Sequence, residues 1–404
     1  MLVRIFNYRF LRLFGYSLFL INGIPCASFA AQPAKKSICL NMIVKDESAV
    51  IKRCLKSVKP WIDYWVIVDT GSTDGTQKII QEFLGDLPGE LQEHTWVNFG
   101  HNRNEALKLA KGKSDYVLFI DADEELQGNF DKNLLESDAY SVPVSLRQDP
   151  PFSFLRTLLI NNHLDWSWKG VLHEGLNCIQ STSHTSMKDV VISAETRDGH
   201  RSQDPQKHLK DAETLEKALL DEPDNAEYVF FLGQSYFNAA KLSLALKNYK
   251  RRSEMPGWDQ STFWAKYFVG YLQELLEMDP KIFMQSYSEA FHFRPTRVEP
   301  LFRMALHHYS QENYIIAYAL AKLGIEIPVP DDNIYREDWI YSYGMHAVFA
   351  NSAKAIGKNQ EAIIAYGKIA EVSEIPEEFR IQAITTKQIL EEQLANSCKK
   401  ILEY

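Results

Sequence analysis

The sequence predicts an α/β domain built on a mostly parallel sheet, followed by an all-α region of stacked helical repeats. Three observations carry this expectation. From Ser37 onward, short apolar runs alternate with helix-periodic segments. Two of those runs, residues 65–69 and 116–121, end on aspartate. After Pro205, helix follows helix. A chain of 404 residues has room for about two to three domains. The expected division is a leader-like segment over 1–36, the α/β domain over 37–203 and the helical region over 204–404. A formal net charge of −9 argues against a nucleic-acid partner, which is normally met by a basic stripe. The five cysteines, Cys26, Cys39, Cys54, Cys178 and Cys398, are scattered without C-x-x-C spacing and suggest neither a disulfide framework nor a zinc site.

At the N-terminus Arg4, Arg9 and Arg12 precede an apolar stretch over 14–24, with Ser28 and Ala30 at the spacing of a signal-peptidase site. This reads as an export signal or a membrane anchor; the run is short for the ~20 apolar residues of a spanning helix, and Pro25 interrupts it. Residues 38–44 form the first strand, broken in its apolarity only by Asn41. Lys45-Asp46-Glu47-Ser48 follows, and Val50, Ile51, Cys54, Leu55 and Val58 recur at helical spacing. Residues 65–69 are the second strand, and the turn Thr70 to Thr76 caps a helix carrying Ile79, Ile80, Phe83 and Leu84. A more exposed strand is expected over 91–97 and a helix over 101–109.

The run 116–120 is apolar throughout, as expected of a strand buried on both faces, and it stops in Asp121-Ala122-Asp123-Glu124-Glu125. Ligands of open α/β sheets bind outside the carboxyl ends of the strands, so Asp121 and Asp123 stand where a ligand is expected. Two carboxylates one residue apart suit a hard divalent cation that in turn holds phosphate oxygens. Glu124 and Glu125 are expected to be solvated. Further on, strands are expected over 140–146, 156–160 and 190–192, with a loop over 184–186. Residues 166–174 are dense in indole, imidazole and carboxylate for a connecting segment. In the helical region Leu232-Gly233-Gln234-Ser235-Tyr236, with Ala245, Tyr249 and Pro256 after it, matches the core of a tetratricopeptide unit. A second unit is suggested by Ala353, Ala362 and Tyr366, and a looser one by Leu301, Ala305, Ala317 and Ala321.

Four motifs occur in a fixed order: Leu40-Asn41-Met42-Ile43-Val44-Lys45-Asp46-Glu47; Val66-Ile67-Val68-Asp69 with Thr70-Gly71-Ser72-Thr73-Asp74-Gly75-Thr76; Asn102-Arg103-Asn104-Glu105-Ala106-Leu107; and Phe119-Ile120-Asp121-Ala122-Asp123-Glu124. Together they resemble the family 2 glycosyltransferases of the GT-A fold, from about Ser37 to Arg201, and most of all the branch in which tetratricopeptide repeats follow. The resemblance implies a Rossmann-like catalytic domain that moves a hexose, with inversion, from a nucleoside diphosphate sugar, with uridine favoured by analogy. It implies a divalent cofactor, Mn2+ or Mg2+. Glu47 and Asp69 would contact the nucleoside and Arg103 the base or the phosphates. Asp123 would bind the metal, with Asp121 beside it on the ribose and sugar side. Inverting members take their general base from a segment after the metal motif, where Glu174 stands. His173 is an alternative base or a third metal ligand, or the pair simply ties the loop down. Trp166 and Trp168 would stack on a sugar, and His200 and Arg201 would close over the diphosphate. Ser72, Thr73 and Asp74 are read as turn formers.

The acceptor class stays open among glycan, lipid and polypeptide, and the helical repeats are expected to offer a surface to a protein partner. The competing reading is a silent transferase domain whose repeats act as a binding scaffold. Location is in tension: the N-terminus points to export or membrane association, whereas nucleotide sugars are cytosolic.

Overall fold

A computed structural model describes residues 35–146, 152–194, 198–332, 336–373 and 375–402. The leader-like segment and its cleavage motif lie outside these residues. Residues 36–404 form one compact unit. Among the described residues no helix is long and apolar enough to cross a membrane.

The α/β part begins with β1 (Ile38–Val44), α1 (Ile51–Val58), β2 (Tyr64–Asp69), α2 (Thr76–Leu84), β3 (Gly89–Glu93), α3 (Phe99–Ala110) and β4 (Tyr116–Phe119). Its strands pair in parallel in the order β3-β2-β1-β4. β1, β2 and β4 are almost wholly buried, as continuous apolar runs require when helices cover both faces. One polar residue interrupts β1: Asn41, whose amide donates to the Ala106 carbonyl at 2.8 Å and so ties α3 to the sheet. The third strand closes earlier than the apolar pattern suggested. Trp96 and Val97 lie beyond it in the approach to α3, 41% and 56% exposed.

The second half of the sheet is mixed. It comprises β5 (Glu124–Gly128), β6 (Ala139–Leu146) and β7 (Phe152–Asn161), then, after the small hairpin of β8 (Ser167–Lys169) and β9 (Gly175–Asn177), β10 (His184–Ser186) and β11 (Val190–Ala194). β7 runs antiparallel between β4 and β6, while β11 joins β6 in parallel and β5 in antiparallel fashion. Two sequence expectations are corrected here. Residues 184–186, expected as loop, form a strand beside β6. The glutamates after Asp123, expected to be solvated, start β5, whose pairing with β11 turns Glu124 inward to 5% exposure.

The helical region runs through α4 (Lys207–Asp221), α5 (Ala226–Asn238), α6 (Leu242–Glu254), α7 (Asp259–Leu275), α8 (Pro280–Phe293), α9 (Glu299–Ser310), α10 (Tyr314–Gly324), α11 (Met345–Ala355), α12 (Asn359–Glu371) and α13 (Glu377–Leu402). Asn225 caps α5 by accepting from the Tyr228 amide, and Asp279 caps α8 with Pro280 at its first position. In the α5/α6 pair a Cβ on Gly233 would meet the Tyr249 ring at 3.2 Å, so a hydrogen is what the packing allows. The same device recurs in α7/α8, where a Cβ on Gly270 would lie 2.8 Å from the Tyr287 ring. The sequence pattern missed this second unit, because Val269 and Gln273 stand where the motif has leucine and tyrosine. Ala305, Ala353 and Ala362 are fully buried in the later pairs.

Candidate active site

The carboxyl ends of β1, β2 and β4 meet at one edge of the sheet, and a network of local bonds shapes that edge. Thr73 donates its amide to Asp46 Oδ1 at 2.7 Å, Glu47 its amide to Thr76 Oγ1 at 2.8 Å, and Ser48 its amide to Asp74 Oδ2 at 2.9 Å. The turn after β2 thus holds the segment after β1, and Asp46 takes a left-handed φ of 53° to do so. Asp69 is fully buried; its Oδ1 accepts from the Gly71 and Ser72 amides at 2.8 and 2.7 Å, while Oδ2 has no partner among the described residues.

Two cavities open beside this edge. The first, of about 530 Å³, is lined by Glu47, Asp123, Trp96, His200, Arg201 and residues of α4. The second, of about 500 Å³, is lined by Glu174, His173, Trp168, Arg156 and, from the helical region, Glu227, Phe231 and Trp258. Arg103, Asp121 and Arg201, with Phe99 and Leu172, line both, so the two cavities share this wall. Arg103 donates to Asp121 Oδ1 at 2.7 Å and pairs through Nε with Glu174, and its guanidinium lies 5.2 Å from the centroid of the Trp168 ring. Burial alone would raise the Asp121 carboxyl, but Arg103 and Arg156 override it and hold it down at about 2.

Asp123 has the opposite environment. Burial, then the charges of Asp121 and Glu124, push it up to about 6, and no cation pairs with its carboxylate among the described residues. Glu47 is likewise pushed up to about 7, by burial and by Asp123 and Asp121, although it accepts from the His200 amide at 3.2 Å. Around Asp123 the carboxylates of Glu47, Asp121 and Glu124 therefore repel one another, which is what a cation would relieve. Among the described residues no three His, Cys, Asp or Glu side chains converge as a closed metal cage. A cation held by Asp123 would take its remaining ligands from a substrate and water, as hard divalent ions commonly do.

Two arginines that the sequence did not single out fix this geometry. Arg53 of α1 donates to the Asp123 carbonyl at 3.0 Å and pairs with Glu125 at 3.1 Å and Asp198 at 2.6 Å, binding the acidic turn to the segment before Gly199. Gly199 in turn lies so close to Asp123 that a Cβ there would sit 2.5 Å from Oδ2. Arg156 of β7 engages both oxygens of Glu124, one at 2.9 Å, and reaches Asp121 at 3.5 Å. Glu124→Ala is expected to lower the unfolding free energy by about 2–3 kcal/mol. That lies below the ~3–5 of a fully buried pair, because Arg156 keeps some water and Asp121. Denaturant melts measure it, and an unchanged midpoint would show that the pair adds nothing.

The segment before β9 reaches the helical region. His173 takes a left-handed φ of 51° and stacks on Phe231 of α5 with ring centroids 4.3 Å apart. Desolvation by its packed surroundings, then Arg201 and Lys207, lower its pKa to about 4, so the ring is neutral at physiological pH although the residue keeps a solvent-exposed face. Both tryptophans pack with a core cluster that includes Val117 and Ile160; Trp168 also lines the second cavity, whereas the Trp166 indole donates to the Asn161 carbonyl at 3.0 Å. Arg201 pairs with Asp211 of α4 and lies 4.8 Å from the Phe99 ring centroid. The structure thus gathers Glu47, Arg103, Asp121, Asp123, His173, Glu174, His200 and Arg201 around the two cavities, while Asp69 is fully buried and lines neither.

Residues 39–139 match the family model "Glycosyl transferase family 2". The chain is 26% identical over 234 residues to the SPbeta prophage-derived glycosyltransferase SunS of Bacillus subtilis, covering 53% of this chain and 54% of that one. It is 35% identical over 130 residues to a glycosyltransferase of Rickettsia bellii, 32% of this chain and 40% of the relative. A TPR repeat-containing protein of Synechococcus elongatus is 43% identical over 97 residues, 24% of this chain and 22% of the relative. The chain thus spans between 22% and 54% of the length of these curated relatives. With three of the four motifs on the parallel strands, the other on α3, and the helix pairs packed through Gly233 and Gly270, the chain carries a family 2 glycosyltransferase domain followed by a tetratricopeptide-like helical region.

Proposed function

We propose that the protein is a metal-dependent, inverting glycosyltransferase that moves a hexose from a nucleoside diphosphate sugar, with uridine as the base, to an acceptor hydroxyl or thiol. The observation that carries this reading is the pair of cavities sharing the Arg103–Asp121 wall, with the unpaired Asp123 carboxylate in one and Glu174 in the other. The donor occupies the first cavity, its nucleoside toward Glu47 and the buried free oxygen of Asp69. Asp123 holds the divalent ion, Mn2+ or Mg2+, whose chemistry is to neutralise charge on the departing diphosphate. Asp121, kept ionised by its two arginines, faces the sugar and ribose. The acceptor occupies the second cavity. Its oxygen or sulfur bonds to the anomeric carbon from the face opposite the diphosphate, and the bond from that carbon to the β-phosphate oxygen breaks. The acceptor's proton passes to the Glu174 carboxylate and the bonding electrons leave with the diphosphate. The acceptor is a glycan, a lipid or a polypeptide; Phe231 and Trp258 give the second cavity an apolar wall on which any of these would rest.

A panel of nucleotide sugars assayed for hydrolysis and transfer, with manganese and with chelator, tests the proposal. Turnover of at least one donor that chelator abolishes is expected. No turnover of any donor, together with no manganese-dependent thermal shift, would overturn it in favour of a silent domain that serves the repeats as a scaffold.

A further inference from the structure

The first helix of the repeat region forms a wall of the donor cavity. Lys207, Lys210, Asp211 and Thr214 all line that cavity, and their spacing of three, four and seven residues puts them on one face of α4. Most of the charges on this wall are already matched. Lys210 pairs with Asp204 at 2.6 Å, and Asp211 is taken by Arg201. Lys207 is different: it is half-buried, and among the described residues its ammonium has neither an ion pair nor a hydrogen bond. Burial, then Arg201, lower its pKa, while Asp211 and Asp123 act in the opposite sense.

A partly desolvated cation without a partner is costly, as is the unpaired carboxylate of Asp123 in the same cavity. The two do not pair with each other. What satisfies both at once is a ligand carrying a cation for Asp123 and a dense anion for Lys207, the composition of a metal diphosphate.

We propose that Lys207 is a diphosphate-contacting residue, so that the helical repeat region supplies part of the donor site. This rests on the donor reading of the first cavity given above. Bond breaking leaves negative charge on the β-phosphate, and a fixed ammonium there stabilises that charge more in the transition state than in the bound donor. Removing the helical region would then remove a donor contact, not only a partner surface.

The test uses the full chain and manganese pyrophosphate as probe, which carries the diphosphate without any nucleoside or sugar. Lys207→Gln is expected to weaken manganese pyrophosphate binding roughly 10- to 100-fold by calorimetry, the loss typical of a charge-assisted hydrogen bond. Binding of manganese alone should be unchanged or tighter, Lys207→Arg should restore most of the pyrophosphate affinity, and Lys217→Gln, on the same helix outside the cavity, should match wild type. Wild-type pyrophosphate affinity in Lys207→Gln would overturn the inference. So would parallel loss of manganese and pyrophosphate binding with a lowered melting temperature, which marks a structural role. If wild type itself binds no manganese pyrophosphate, it is the donor reading that fails.

Discussion

Asp123→Ala is expected to cut metal-dependent turnover by about 10²–10³-fold while leaving the fold intact, the loss that follows when a main electrostatic contact to a leaving group is removed. The structure separates this effect from unfolding. Asp123 is half-exposed on the cavity, and the bond that Arg53 makes in the acidic turn goes to its backbone carbonyl, which alanine retains. Its carboxyl, pushed up to about 6, binds a proton more tightly in the folded chain than in the unfolded one, where the value lies near 4. The folded state therefore gains from that proton below about pH 4 and loses the gain as pH rises through about 6, so at neutral pH the ionised side chain costs stability. The variant should melt at an unchanged or slightly higher temperature at pH 7. Tight manganese-dependent donor binding retained by Asp123→Ala would refute the assignment.

Glu174→Gln is expected to slow transfer by about 10²–10⁴-fold, the range for a lost general base, with manganese–nucleotide binding kept within a few-fold. Glutamine is the informative change because it still accepts from the Arg103 guanidinium, which Glu174 and Asp121 hold between them. Alanine would leave Arg103 half-paired in a site where its own side chain is 13% exposed, and would confuse positioning with chemistry. Single-turnover transfer with saturating donor measures the step directly. Transfer near the wild-type rate would show that another group takes the proton, and His173, neutral and on the same cavity wall, is the next to replace.

Much of the first half of the fold is legible in the chain because its strands are buried on both faces, so continuous apolar runs mark them without help from neighbours. The carboxylates at their ends are legible for the same reason: an acid that ends a buried strand stands out. Legibility fails after Asp123. The short strand β5 has no apolar run of its own, and Glu124 lies inside only because β11 pairs with it from more than sixty residues away and Arg156 of β7 meets it there. The α7/α8 unit escaped for a related reason. Its packing keeps the small residue and the ring, Gly270 and Tyr287, while letting the motif's other side chains drift.

The sequence by itself determined the order of the parallel strands' motifs, the acids and the arginine of the candidate site, and the change to helical repeats, since these rest on local periodicity and on residue chemistry at element ends. Tertiary structure decided the rest. Asp121 and Asp123, two residues apart, are driven to about 2 and about 6, because Arg103 and Arg156 reach the first, whereas burial and the carboxylates of Asp121 and Glu124 act on the second. The assembly of the cavities from both halves of the chain, with Lys207, Phe231 and Trp258 coming from the helices, depends on contacts between segments distant in sequence. Coulomb energy and desolvation depend on distance in space, and no spacing along the chain encodes that distance.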